Sequence, residues 1–155
     1  MYKIPEIKLV KGSHSDIGKT GVGCFMNVIA YLNGELQITD EGECVCFVVR
    51  PIVIWLNDYS NDDQRQKLLP FILRARGSRT DDVEELSRRT KLKVEFTNKQ
   101  RALAAKFESA AVYAAMKESI FQAGFDFLDL ALPALTGIDE QTIMRAETLK
   151  ALATV

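Results

Sequence analysis

The chain has 155 residues, 47% of them hydrophobic and 26% charged. These are the proportions of an ordinary globular domain, and a chain of this length hides roughly 70% of its unfolded surface without needing staples. Twenty basic residues face 21 acidic ones, for a net charge of −1. That balance excludes the large negative excess of an acidic nucleic-acid mimic and gives no general pull toward nucleic acid or an anionic membrane.

Residues 2–10 alternate loosely, with Ile4, Ile7 and Leu9 among Lys and Glu, and Pro5 makes them an edge strand or an extended arm. Residues 12–23 hold four glycines and read as loop. Residues 23–32 are apolar nearly all round and close at Asn33-Gly34, which predicts a buried core helix with a left-handed stop. Residues 35–43 are a polar loop. In residues 45–56 propensity and length disagree: the β-branched run favours a strand, whereas Pro51 and the length favour a helix over 47–59, the reading preferred here. Arg50 and Pro51 also interrupt this longest apolar run, which falls short of the ~20 residues of a membrane span.

Ser60, with an acid three residues on, predicts a helix start, and that helix runs bent at Pro70 to Gly77. Thr80, Asp81 and Asp82 open the next helix, toward Lys93. From about Thr97-Asn98, Leu103, Phe107, Ala110, Ala114, Phe121, Phe125 and Leu128 fall on one helical stripe, with Gly124 as a break or bend. Asp139 caps a last helix through about Ala153. The sum is a mainly α fold, an irregular multi-helix bundle in a single domain over 1–155, with 1–22 as extended arm and Gly-rich loop. The Ala-rich stripe leaves open packing within the chain or across a homodimer.

Four constellations could carry chemistry. Gly12 with Gly18-Lys19-Thr20 imitates a phosphate loop, but five residues separate the glycines where the motif needs four. No cofactor is expected on that basis. His14, Cys24, Cys44 and Cys46 offer four zinc-ligand types, yet Cys44-x-Cys46 is one residue short of a zinc knuckle. They stay as weak metal candidates and as the centre of an alternative reading, a metal- or thiol-dependent enzyme. A Cys nucleophile would need a base and an orienting partner, and His14 is the single histidine. The basic residues between Arg74 and Lys93 could bind nucleic acid, but acids from Asp81 to Glu85 interrupt them, so that is the second alternative. Three cysteines and no export signal in the N-terminal residues lead us to expect reduced thiols and a cytoplasmic location.

The order of these blocks resembles a group of uncharacterised small bacterial and phage proteins. The likeness rests on Gly12, Ser13, His14, Cys24, Met26, Ala30, Gly34, Glu35, Cys44, Cys46, Leu56, Asn57, Asp58, Arg65, Gln66, Leu68, Pro70, Arg74, Gly77 and Arg79. It covers roughly residues 12–80. This chain departs from the group at Asn27, where the group carries Glu, and at Phe47, where it carries Pro. The resemblance favours a helix over 47–59 and implies no activity. The expectation is therefore a non-catalytic protein that binds another protein through two polar connections, Asn57 and Asp58 in one and Arg74, Arg76 and Arg79 in the other. Were it phage-encoded, it would be an accessory factor acting on a host protein in the host cytoplasm.

Overall fold

The computed structural model describes residues 7–35, 37–106 and 109–133. The fold is mainly α, an irregular bundle with one two-stranded sheet near its start. No helix among the described residues is long and apolar enough to cross a membrane.

Strand β1 (Lys8–Leu9) pairs in parallel with β2 (Val22–Gly23), Lys8 opposite Val22 and Leu9 opposite Gly23. Part of the expected arm is therefore strand. The expected loop over 12–23 also contains structure, the short helix α1 (Ile17–Thr20) and β2 itself. The reason is that a parallel pair needs a crossover. Fully buried Ile17 anchors this one, and Gly21, at φ +71°, turns the chain back into the sheet.

Helix α2 (Phe25–Leu32) lies at the centre, with Phe25, Met26, Asn27, Val28, Ile29 and Ala30 all buried. It ends as the Asn-Gly pair predicts. Gly34 N–H reaches Tyr31 O at 3.0 Å and Glu35 N–H reaches Ala30 O at 3.1 Å, the paired bonds of a Schellman stop. The contested segment is helical from Arg50: α3 (Arg50–Tyr59) carries Pro51 in its first turn, where a missing N–H costs no bond. Its buried Ile52, Val53, Leu56 and Asn57 form one face, so tertiary packing overrides the β-branched propensity.

Ser60 does not cap the next helix; it ends α3, its hydroxyl donating to Leu56 O. Asn61 caps α4 (Asp62–Gln66) instead, accepting from Gln64 N–H at 2.8 Å while Gln64 Oε1 accepts from Asn61 N–H at 3.2 Å. The bent helix expected up to Gly77 is three pieces: α4, a 3₁₀ turn (Leu69–Phe71) around Pro70, and α5 (Ile72–Ala75). Proline cannot donate into a continuous ladder, so the chain re-nucleates beyond it.

Helix α6 (Val83–Ala104) starts at Asp82, whose carboxylate accepts from Glu85 N–H at 3.0 Å. It runs straight through Thr97-Asn98, where a boundary was expected, because buried Phe96 pins that stretch against Phe127 and Trp55. The real boundary is Ser109, which caps α7 (Ala110–Ala131). Gly124 neither breaks nor bends α7. It makes room for α3: a Cβ there would lie 2.6 Å from Leu56 Cδ2. Helices α6 and α7 form an antiparallel hairpin, Arg88 meeting Leu130 O at one end and Phe96 meeting Phe127 further along. The helix expected over 139–153 lies outside the described residues.

Candidate functional site

Two regions gather polar groups. The first is a buried crossing beneath the N-terminal arm. Asn27 sits in an otherwise apolar helix, and all its hydrogen-bonding capacity is used. Its Oδ1 accepts from His14 N–H at 2.8 Å and Cys24 N–H at 3.0 Å, and its Nδ2 donates to Ser13 Oγ and Thr39 O, each at 3.0 Å. Asn57 cross-links in a similar way from α3. Its Oδ1 accepts from Phe25 N–H at 3.0 Å, and its Nδ2 donates to Val10 O at 2.9 Å and Asp58 Oδ1 at 3.2 Å. Asp58 Oδ1 also accepts from Gly12 N–H at 3.0 Å.

From α4, Gln66 acts as a stand-in strand, accepting from Leu9 N–H at 3.0 Å and donating to Leu9 O at 2.8 Å. Arg65, 5% exposed, donates to Asn57 O and Ser60 O and pairs with Asp62 at 2.6 Å. These bonds hold the Gly12-Ser13-His14 loop over the start of α2. The space left is a cavity of about 40 Å³, lined by Ser13, Cys24, Asp40, Asn57 and Asp58 among others. It has room for a water or two and not for a substrate, since small-molecule sites run to several hundred Å³.

The zinc-ligand types do not converge. Asn27 brings the backbones of His14 and Cys24 together. Cys44 and Cys46 instead lie before α3 and bond to the turn after α5: Arg79 N–H donates to Cys44 O at 3.0 Å and Cys46 N–H to Ser78 Oγ at 2.9 Å. Among the described residues no three His, Cys, Asp or Glu are placed to hold a metal ion. Burial pushes the Cys24 thiol up, against lowering by the Asn27 and Met26 backbone, and the nearby Asp40 and Asp58 add smaller rises. A thiol so held is a poor nucleophile.

The polar connections expected to meet a partner are mostly engaged internally. Asn57 is 1% exposed and lies within α3, so it is an internal cross-link and not a surface group. Arg74 caps α7: its guanidinium donates to Asp129 Oδ1 at 2.6 Å, Asp129 O at 2.7 Å and Leu132 O at 3.1 Å. Arg76 donates to Asn33 Oδ1. Further along the basic stretch, Arg88 and buried Arg89 both pair with Glu85, and Arg89 also donates to Ser78 O at 2.6 Å. The Arg88 guanidinium foremost, with help from Arg89, holds the Glu85 carboxyl down to about 2.

Arg79 is different. It is exposed, and its side chain has no hydrogen bond or ion pair among the described residues. With Glu43, Val45, Phe47 and Arg50 it lines a second region, an open cleft of about 300 Å³. Phe47 is 61% exposed on its rim. Arg50 spends one Nη on Val45 O at 3.0 Å, while its buried Nε has no partner among the described residues. Phe47 and Arg50 escaped the sequence reading because they sit inside an apolar run that looks like core. The available signal was helical phase, since the buried face of α3 and its lead-in passes both by. Comparison with protein-family models, curated proteins and solved structures finds no match to this chain.

Proposed function

We propose that this chain is a non-catalytic protein that acts by binding another protein, with the cleft beside Phe47 as its contact surface. One observation carries the reading. Asn57, Arg74, Arg76, Arg88 and Arg89 are bonded within the fold, whereas the exposed Phe47 and an arginine with no side-chain bond among the described residues line one concave face. Aromatic and arginine side chains dominate the binding energy of protein interfaces. Of Asn57, Asp58, Arg74, Arg76 and Arg79, the residues expected from sequence, Arg79 is the one whose side chain has no bond among the described residues. Three free cysteines fit a reducing compartment such as the cytoplasm. In the setting that the sequence resemblance suggests, the partner is a host protein.

The test is a photoreactive residue at position 47, with one at exposed position 99 as control, in cells that make the protein. A discrete adduct from position 47, absent at 99 and lost on Arg79→Glu, is the expected outcome. Adducts equal at both positions, or none at 47, overturn the assignment of this surface.

A further inference from the structure

The cleft also has a charge preference. Resting on the protein-binding reading above, we propose that its occupant is an acidic segment of the partner, a carboxylate set against Arg79 and Arg50 with a neighbouring apolar side chain against Phe47.

Three observations support this. Neither Arg50 nor Arg79 takes part in an ion pair among the described residues, although Arg65, Arg74, Arg88 and Arg89 all do. Guanidinium groups are matched in shape and charge to carboxylates, so two unpaired ones facing the same hollow favour an anionic guest. Second, the two arginines are held in position. Arg50 is tethered through Val45 O, and the Arg79 backbone is tethered through Cys44 O at 3.0 Å, so the ordering left to do on binding is confined to the Arg79 side chain. Third, the apolar element is adjacent, since Phe47 shares the lining, and about 300 Å³ accommodates a carboxylate and an apolar neighbour together. Glu43 is the one acid in the lining and opposes the same guest. It supplies a control of opposite sign.

The experiment is fluorescence anisotropy with the full chain and three labelled probes. These are a short peptide alternating Asp with Leu, the same peptide with Asn for Asp, and an oligo-dT of matching charge. The acidic peptide is expected to bind about tenfold tighter than its amide counterpart. Arg79→Glu should erase that difference, and Glu43→Gln should widen it. The Arg79 side chain bonds to no group among the described residues, so the variant keeps its structure, which far-UV circular dichroism checks. Equal binding of the two peptides, no binding of the acidic one, or an Arg79→Glu variant that still prefers it overturns the proposal. Tighter binding of oligo-dT overturns it in favour of nucleic acid. A position-47 adduct in cells combined with equal peptide binding removes the acidic preference alone and leaves the protein-binding reading standing.

Discussion

The crossing beneath the arm and the cleft beside Phe47 both hold an arginine, and the two arginines Arg65 and Arg79 end in opposite states. In the crossing, Asn27, Asn57 and Gln66 bond to groups up to 57 residues off in sequence, Arg65 bonds to the nearby end of α3, and those bonds lie inside the fold. In the cleft, Arg79 is open to solvent and its side chain bonds to no group among the described residues. A buried polar group left unpaired is expensive, so the crossing is committed to stability. An exposed arginine costs the fold nothing and remains available to something else. Whether a polar residue is structural or recognitional is thus decided by its surroundings and not by its type.

That contrast can be broken by substitution. The largest effect is expected at Asn57. Asn57→Ala leaves Phe25 N–H and Val10 O unpaired in the interior, and should cost about 2–4 kcal/mol in urea unfolding. A loss below about 0.5 kcal/mol would mean that the crossing does not hold the fold. Next comes Gly124→Ala. Its methyl would press on Leu56, and α3 or α7 must shift, at about 1–3 kcal/mol in the same measurement. An Ala substitution that stabilises α7, as propensity alone predicts, would show that the α3–α7 contact is loose.

The Glu85 cluster should give a smaller effect, readable by pH. Its folded carboxyl is depressed to about 2, so its contribution is fully present above the ordinary glutamate range and is lost as pH falls from about 4.5 toward 2. Solvent screening holds this to on the order of 1 kcal/mol. Glu85→Gln should flatten the pH dependence of unfolding within that window and leave neutral-pH behaviour nearly level with the acid end. The smallest effect is expected in the cleft: Phe47→Ser and Arg79→Glu should each change stability by less than about 0.5 kcal/mol. A larger loss in either would move the cleft into the same class as the crossing.

The sequence showed the local half of this molecule. Helix α2 and its Asn33-Gly34 stop follow from hydrophobic pattern and turn chemistry, both of which act over a few residues. Boundaries set by distant packing were misplaced. Thr97-Asn98 looks like a helix start until Phe96 is seen docked on Phe127, and Gly124 looks like a break until Leu56 is seen lying on it. The crossing was the least legible part. Asn57 and Asp58 read as a surface connection because nothing local reveals that Val10 and Phe25 await them. One clue was present: Asn27 is the lone amide in a run of apolar residues, and a polar group in a buried helix must have partners.

The clamp of Gln66 on Leu9 has a consequence for how the chain comes into being. A ribosome delivers Leu9 long before Gln66, and 57 residues at common rates of synthesis take roughly 3–11 s. Through that interval the amide that receives Leu9 has not been made. The parallel partner of the arm, Val22–Gly23, comes much earlier in the chain. Docking of the arm is therefore completed in two stages, and the second waits for synthesis to reach α4.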